Sequence, residues 1–300
     1  MFTSLLVNLI NNEFKILPMF TAFAPALVDY IHLIDNYPQK GGHALVKKTY
    51  KMPGGAGCNV AHNIARLNVK STIFTTLGRD SDAEFFVKNT AAKVVAEYTH
   101  ELTGRVDIYV DSSGERTFFV HPNAAGKPYV KVKPDEYLYL DPFPSDKSFE
   151  VQLNAAKNSE SFVILNPGFP YVSLGFKKLS ELLKYVDMLI LSEFEFKYLG
   201  ASVKDILKLV DYLIITQGDK GSRCYTKTKS YKAEAFKVKP VDTTGAGDAF
   251  AAGFIYCFMN EMPLDICLRI GNFCGAYNVK RVGARNFPSL DEIESILSKL

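Results

Sequence analysis

Apolar runs alternate along the chain with segments whose apolar residues recur at helical spacing. Runs typical of strands lie at 71–77, 162–165, 188–191 and 212–216, and helical patterns lie at 82–97 and 174–185. Strands that alternate with helices pair in parallel, because each helix carries the chain back across the sheet. The later strands are continuously apolar, so both of their faces should be buried. The pattern predicts an α/β fold in three layers, with helices on both faces of a mostly parallel central sheet.

Two further segments, 30–52 and 102–121, alternate polar and apolar residues around turn signals such as Gly41-Gly42 and Asp111-Ser-Ser-Gly114. This alternation is typical of hairpin strands outside the main sheet. Such a small β-structure is well placed to cover a ligand as a lid, and a plain extension of the sheet edge fits the same periodicity. We predict a single domain over residues 19–300 that carries these segments as a β lid, since no linker or composition break divides the chain.

The first 18 residues do not resemble a secretion signal, because they lack a basic start and Asn8, Asn11 and Asn12 interrupt their apolar run. A second Met-Phe-Thr begins at Met19, directly before the first convincing strand. We therefore expect residues 1–18 to be an N-terminal extension, either dispensable or the product of a misassigned start.

Composition narrows the class of protein. The 300 residues are 47% hydrophobic, and 35 basic against 32 acidic residues leave a net charge of +3, too small to hold nucleic acid or an anionic membrane by charge alone. No apolar run is long enough to span a bilayer. The five cysteines are scattered without paired or metal-binding spacing, as expected of reduced thiols in a cytoplasmic protein.

A loop of small residues leads into an apolar, alanine-rich helix at 241–255, where the chain reads VDTTGAGDAFAAGFI. Gly245, Ala246 and Gly247 carry little side chain, so their backbone amides and the helix dipole favour an anion such as phosphate. Asp248 follows on the first helical turn, where its carboxylate can take a proton from a hydroxyl that attacks the phosphate. The alternative is that these side chains only cap the helix. The run matches neither a Walker A loop nor a complete Rossmann fingerprint.

A second glycine-rich turn precedes a helix at 53–67, where the chain reads PGGAGCNVAHNIARL. Gly54 and Gly55 would let the backbone approach a small polyol. The amide of Asn59, in the first turn, can donate to and accept from neutral hydroxyls. An ordinary glycine-rich helix entry with a polar face explains the same residues.

Together, Gly54-Gly55-x-x-x-Asn59 and Asp242-Thr-Thr-Gly-Ala-Gly-Asp248 resemble the two signatures of the ribokinase-like (PfkB) carbohydrate kinases. Further matches follow in the family's order at 20–29, 77–80, 114–118, 216–221 and 272–283, so the resemblance covers residues 19–300. It implies a phosphotransferase in which Asp248 is the base and the amides of residues 245–247 hold the transferring phosphate.

The resemblance also implies where the two substrates bind. The substrate hydroxyls would be bound by Asp29, Gly54, Gly55 and Asn59. The nucleotide of ATP would lie near Thr216, Gly218, Gly221 and Asn272. The strands of 30–52 and 102–121 would form the lid that excludes water from the transferring phosphate. Many relatives dimerise through their lid sheets, which makes a homodimer a further expectation.

Mg²⁺ is expected because the charge on the β- and γ-phosphates must be neutralised during transfer. The family's N-x-x-E motif reads Ser192-Glu-Phe-Glu195 here, so Glu195 keeps the acidic position for Mg²⁺, in part through water, while the asparagine is replaced. A solvated helix residue is the alternative for Glu195. In several family members the loop that matches Asp242 and Thr244 encloses potassium, so the resemblance adds a monovalent cation there.

The expected acceptor is a small neutral sugar such as ribose or fructose. A nucleoside is the alternative, and a non-catalytic sugar or nucleotide sensor is the alternative of another class. Ala56 stands where ribokinases usually have lysine, and residues 119–125 lack the arginine with which acidic-sugar kinases grip a carboxylate. We expect Tyr109, Phe118 and Phe119 to fill the lid's own small core, with stacking on a nucleobase as the alternative. We expect Arg116 to be an ordinary charged residue of a hairpin tip, with closure over substrate or phosphates as the alternative. No nucleic-acid or membrane partner is expected.

Overall fold

The computed structural model describes residues 18–129 and 131–298. The strands of this part of the chain are β1 (Phe20–Phe23), β2 (Leu27–Leu33), β3 (Lys48–Gly54), β4 (Ser71–Leu77), β5 (Lys93–Tyr98), β6 (Gly104–Val110), β7 (Arg116–His121), β8 (Tyr137–Leu140), β9 (Phe162–Leu165), β10 (Met188–Ser192), β11 (Tyr212–Thr216), β12 (Ser222–Tyr225) and β13 (Ser230–Ala233). Nine of them form the main sheet, in the order β13-β12-β11-β10-β9-β8-β1-β4-β5. From β11 to β5 neighbours are parallel, and β12 and β13 add an antiparallel edge.

Helices cover both faces of this sheet. Within the described residues they are α1 (Ala56–Ala65), α2 (Ser81–Lys88), α3 (Ser148–Lys157), α4 (Gly168–Val172), α5 (Gly175–Leu183), α6 (Glu193–Leu199), α7 (Val203–Ile206), α8 (Ala246–Met259), α9 (Leu264–Asn278) and α10 (Leu290–Leu297). Adjacent strand residues point to opposite faces, so Ala22 packs with Ile64 of α1 and Phe254 of α8, whereas Phe23 belongs to the core that contains Leu182 of α5. The predicted three-layer α/β architecture is confirmed.

The remaining four strands form a second sheet, in the order β3-β2-β6-β7. It contains both segments that the alternating pattern singled out. Ile31, Val106 and Ile108 form a small buried cluster on one face of this sheet. On the other face, the hydroxyl of Tyr30 donates to Asp82 of α2 at 2.7 Å. We call this sheet the lid sheet, and its closure over a ligand stays a prediction.

One predicted element is wrong in its second half. The helical pattern at 82–97 divides into α2, which ends at Lys88, and the edge strand β5, which begins at Lys93. The side chains of Asn89 and Thr90 donate to the carbonyls of Phe85 and Phe86 at 2.8 and 2.7 Å, and so satisfy groups at the helix end. The expectation for residues 1–18 lies outside the described residues except at Pro18.

All five cysteines are buried free thiols. Across residues 18–129 and 131–298, the structure contains no helix with the length and apolar character needed to cross a bilayer.

The two glycine-rich turns meet beside the carboxyl end of β1. Helix α1 begins after Gly55 and helix α8 after Gly245, and both helices contribute to the same core. A Cβ on Gly57 would lie only 2.6 Å from the Cβ of Ala24, so this glycine lets α1 lie against the chain that leaves β1. Ligand sites of open α/β sheets form at such carboxyl ends.

Candidate active site

The loop before α8 presents unpaired backbone amides at a helix N-terminus. Gly245 begins the helix with φ +73°, and no side chain caps it. Within the described residues the amides of Gly245 and Gly247 have no acceptor, and that of Ala246 reaches the Thr243 carbonyl at 3.3 Å. No atom lies within 4 Å of where a Cβ of Gly247 would stand. The anion cradle expected at 245–247 is therefore an open, electropositive turn.

Asp248 turns its carboxylate away from the helix amides and toward α1. Its Oδ2 accepts a hydrogen bond from Nδ2 of Asn59 at 2.9 Å, so the helix-cap alternative does not describe its side chain. Burial raises the pKa of Asp248 to about 6, against the opposing effects of the Asn59 hydrogen bond and the positive charge of Arg285. Such a carboxylate is ionised at neutral pH and takes up a proton readily, which suits a general base.

Asp29 lies on β2, beside the end of β3. A Cβ on Gly54 would stand 2.3 Å from Oδ1 of Asp29, so glycine is needed for the carboxylate to lie against the backbone. Gly55 has φ +91°, and a Cβ there would lie 2.1 Å from the Pro25 carbonyl oxygen. Burial raises the pKa of Asp29 to about 7, with Arg285 opposing the rise and Asp248 adding to it. No described residue donates a hydrogen bond to this carboxylate, which leaves it available to ligand hydroxyls.

Asn59 is engaged by the protein, and its expected role as a substrate ligand stays a prediction. It is only 3% exposed, and both ends of its amide are engaged by the protein. Nδ2 donates to Asp248, and Oδ1 accepts from Nε of Arg285 at 2.9 Å. The structure thus joins Asn59 to the candidate base. Sequence reasoning missed Arg285, although it lies only two residues after Gly283, where the last of the matching stretches ends.

The four residues expected at the nucleotide line one cavity of about 760 Å³. Thr216 ends β11, Gly218 and Gly221 form the turn into β12, and Asn272 lies on α9. The same cavity is lined by Ala246 and Gly247, so it opens onto the cradle. Its other walls are largely apolar and include Phe236, Val238, Phe250 and Val279. A mostly apolar cleft that ends at free amides suits a nucleotide, whose base is apolar and whose phosphates are anionic.

Asn272 lines this cavity and holds the end of β13, which forms one of its walls. Its Nδ2 donates to the carbonyls of Ala233 and Glu234 at 3.1 Å each. Gly221 is held against the same strand end, since its φ is +90° and a Cβ would lie 2.0 Å from the Ala233 oxygen. Both residues therefore fix the end of β13 as one side of the nucleotide cavity.

Glu195 is engaged in capping α6. Its Oε2 accepts from the amide and the hydroxyl of Ser192 at 2.7 and 2.8 Å, and Ser192 accepts in turn from the Glu195 amide. Ser192, which stands at the position of the family asparagine, is thus the N-cap of α6. In the described part of the chain, no group of three or more His, Cys, Asp or Glu residues lies close enough to hold a metal ion. The residues present fit a Mg²⁺ ion that would be held mainly by phosphate oxygens and water, and Oε1 of Glu195 is the carboxylate oxygen that the helix cap leaves unused.

Arg116 is more than a hairpin-tip residue, and that prediction is wrong. From β7 its guanidinium donates to Asp242 Oδ1 at 3.1 Å, to the Thr243 hydroxyl at 2.6 Å and to the Thr244 hydroxyl. Asp242 also accepts from the amides of Thr244 and Gly283 at 2.9 and 2.8 Å. The carboxylate expected at a potassium ion is therefore occupied by a protein cation and two amides. In this arrangement, Asp242 and Thr244 do not fit a monovalent cation.

The lid aromatics are not a filled core. Phe118 and Phe119 are 52% and 53% exposed, so the core-filling prediction is wrong. Their side chains lie on opposite faces of β7, and Phe119 packs edge-on against Tyr109. Phe118 shares its face with Arg116, the residue that reaches the cradle loop. An exposed aromatic ring thus lies on the face of the lid sheet that is directed toward the cradle.

Known proteins are similar to this chain in sequence and in fold. A nucleoside kinase of Methanocaldococcus jannaschii is 28% identical over 293 residues, which cover 93% of this chain and 96% of that protein. Its crystal structure superposes with a TM-score of 0.85 over 94% of this chain and 99% of that chain, at 26% identity. An ATP-dependent ribose-1-phosphate kinase of Halopiger xanaduensis is 27% identical, covering 89% and 93% of the two chains. A ribokinase of Staphylococcus aureus is 28% identical, covering 90% and 96%.

The family model for pfkB family carbohydrate kinases matches residues 23–291, which include both glycine-rich turns, the lid sheet and the nucleotide cavity. The chain therefore belongs to the pfkB family of carbohydrate kinases.

Proposed function

We propose that this protein is an ATP-dependent phosphotransferase that moves the γ-phosphate to a hydroxyl of a small neutral sugar. The observation that carries the proposal is the juxtaposition of Asp248 with the open amides of Gly245 and Gly247 at one helix N-terminus. A binding protein has no need of a base beside an anion cradle. Membership of a kinase family and the neighbouring cavity support the same conclusion.

The residues divide the reaction among them. The carboxylate of Asp29, held against Gly54, accepts hydrogen bonds from acceptor hydroxyls and orients one of them. Asp248 takes the proton of that hydroxyl as its oxygen attacks the γ-phosphorus. The amides at 245–247 donate to the phosphoryl oxygens, whose charge is stabilised by the helix dipole. The lid sheet excludes water, which would otherwise compete as an acceptor.

Mg²⁺, when bound with ATP, neutralises charge on the β- and γ-phosphates. Glu195 and water would complete its surroundings. We further propose that catalysis needs no monovalent cation, since the guanidinium of Arg116 already pairs with Asp242.

Substitution of the base tests the proposal. Asp248→Asn should lower turnover by at least about a hundredfold, while ATP binding measured by calorimetry changes little, because the cradle amides remain. Asp265→Asn is the matched control, since Asp265 is an exposed aspartate in the first turn of the next helix. Equal loss of folding and ATP binding in Asp248→Asn would assign the residue a structural role. A folded wild-type protein that binds ATP but turns over no sugar or nucleoside would favour a sensor.

A nucleoside is the second candidate acceptor, favoured by the exposed ring of Phe118 on the cradle-facing side of the lid sheet. The assay is turnover of a panel of pentoses, ketohexoses and nucleosides with ATP and Mg²⁺. If the acceptor is a nucleoside, Phe118→Ala should raise its KM, because stacking on a base contributes roughly 1–3 kcal/mol. Phe119→Ala, on the opposite face, is the control. Turnover confined to nucleosides would reject the sugar assignment.

A homodimer through the lid sheet remains a proposal. β7 is an edge strand with half-exposed Phe119 and Val120, which offers backbone groups and apolar surface to a second copy. Sedimentation at micromolar concentration should give twice the monomer mass, and Val120→Lys should return the monomer. A monomeric wild type would reject the dimer. A cytoplasmic location is proposed in the same way, supported by the five free thiols.

A further inference from the structure

Arg285 lies in the loop between α9 and α10 and reaches the candidate base through one intermediate side chain. Its Nε donates to Oδ1 of Asn59 at 2.9 Å, and Nδ2 of the same amide donates to Oδ2 of Asp248 at 2.9 Å. An asparagine amide can present either its oxygen or its NH₂ group to a neighbour. Because a guanidinium only donates, it fixes the Asn59 oxygen on its own side, and the NH₂ group must then face the Asp248 carboxylate.

The guanidinium is itself fixed by residues that follow α2. Nη1 donates to the Asn89 carbonyl at 2.8 Å and to the Thr90 hydroxyl at 3.0 Å. The guanidinium carbon lies 5.5 Å from the ring centre of Phe86. These contacts leave the side chain little freedom, so the direction of its Nε hydrogen bond is set by the fold. Two side chains thus transmit that direction to Asp248.

Arg285 is the positive charge that acts on the carboxyl groups of Asp248 and Asp29. Two other carboxyl groups lie near Asp248, those of Asp29 on β2 and Asp141 after the end of β8. Cys58 and Tyr139 also lie near it, and burial raises their pKa values, so the thiol and the phenol stay neutral. Asp141 already accepts from the Gly57 amide at 2.8 Å. Burial and nearby arginines lower the pKa of His62 to about 3, so His62 is neutral as well. Burial lowers the pKa of Arg285 to about 10, which keeps the guanidinium charged at neutral pH.

Burying this guanidinium has an energetic cost. Nη2 of Arg285 is buried and has no acceptor among the described residues. A buried donor without a partner costs roughly 1–3 kcal/mol, and a buried charge costs more unless it is fully paired. The contacts of Nε and Nη1 offset this cost and hold the side chain beside Asn59.

We propose that Arg285 is a positioning residue of the phosphotransfer reaction: through the amide of Asn59 it holds the Asp248 carboxylate in the orientation that receives the acceptor proton. The inference rests on the proposed kinase function and deepens it. Arg285 touches neither ATP nor acceptor in this role. Asn59 serves the base rather than the acceptor, which reassigns the residue that the sequence placed among the substrate ligands.

The test is the pH dependence of kcat in Arg285→Gln, Arg285→Lys and the wild type. Loss of a neighbouring positive charge raises a carboxylate pKa by about one unit or more. The acid limb of kcat should therefore move up by about one pH unit in Arg285→Gln, a roughly fivefold loss at pH 6 beyond any loss at the plateau. Arg285→Lys keeps the charge without the directed Nε bond, so its midpoint should stay close to that of wild type while its plateau kcat falls. The KM for ATP should not change in either variant.

Arg66→Gln is the control, because Arg66 also bonds the 283–287 loop, through the Phe287 carbonyl at 3.1 Å, without touching Asn59. It should change the melting temperature and leave the pH midpoint in place. Wild-type midpoints and plateau rates in both Arg285 variants would overturn the positioning role. If Arg285→Gln does not fold, an unchanged plateau kcat in Arg285→Lys overturns it alone. The kinase proposal fails separately, if wild type shows no turnover or if Asp248→Asn remains active.

Discussion

Gly245 packs closely against Ala284 of the 281–287 loop, so its replacement by alanine should destabilise the folded protein. A Cβ at this position would lie 2.4 Å from the Cβ and 2.5 Å from the Cα of Ala284, with φ at +73°. A side chain in the left-handed region costs roughly 1–2 kcal/mol, and overpacking of a close contact adds roughly 1–3 kcal/mol. We expect Gly245→Ala to lose about 2–5 kcal/mol of unfolding free energy in urea denaturation.

Gly247→Ala is the matched control, two residues further into the same turn. Nothing lies within 4 Å of its Cβ position and its φ is not positive, so a methyl group meets no protein atom. Alanine in a helix is favoured over glycine by roughly 0.5–1 kcal/mol, and the variant should be at least as stable as wild type. Its kcat/KM for ATP should nevertheless fall about tenfold or more, because the methyl group occupies the space through which phosphate approaches the amides.

The pair of variants therefore distinguishes a structural glycine from a functional one. Steady-state kinetics and urea unfolding, measured on the same preparations, give both quantities. Wild-type kinetics in Gly247→Ala would refute the cradle at 245–247. Wild-type stability in Gly245→Ala would refute the close contact with Ala284.

Three further outcomes follow from the site. Asp29→Asn should lower kcat/KM for the acceptor about tenfold or more and leave the KM for ATP unchanged, as steady-state kinetics would show. Burial raises the Asp248 pKa from 3.8 to about 6, so between pH 3.8 and 6 the folded protein binds more protons than the unfolded chain. Its stability should therefore fall as the pH rises through that range. Asp248→Asn removes the buried charge and should melt at a higher temperature than wild type at pH 7. Turnover by the wild type should be equal in buffers that contain K⁺ or tetramethylammonium, because Arg116 already pairs with Asp242. Arg116→Met should lower kcat and make turnover depend on K⁺. A wild type that depends on K⁺ would contradict this role of the ion pair.

Much of the architecture could be read from local patterns. β4, β9 and β11 begin and end where the sequence pattern predicted. β9 and the centre of β11 are continuously apolar because both of their faces are buried. β4 is buried along its length although four of its seven residues are serine or threonine. The prediction of one helix over 82–97 was wrong because the spacing of its apolar residues fits either one helix or a helix followed by a strand. Pairing of β5 with β4, a contact between distant residues, decided between them.

The same division holds for the site. The cradle, Asp248 and Asp29 lie in contiguous motifs whose chemistry is local. Arg116 and Arg285 could not be placed, because their roles depend on partners 126 and 226 residues away in the chain. The hydrogen bond from Asn59 to Asp248 could not be placed for the same reason, since it spans 189 residues.

The described residues that surround the proposed donor and acceptor belong largely to different elements. The nucleotide cavity is lined from the ends of β10 and β11, the turn before β12, the loop after β13, α8 and α9, whereas Asp29 and the Gly54 turn belong to the lid sheet and the entry to α1. Among the described residues, the start of α8 and the tie from Arg116 of β7 to the cradle loop connect the two sets. Substitutions that change the preferred alcohol can therefore accumulate in the lid sheet while the affinity for ATP is preserved. Laboratory evolution confined to β2, β3, β6 and β7, with Arg116 kept, should diversify acceptor preference without re-optimising the donor site.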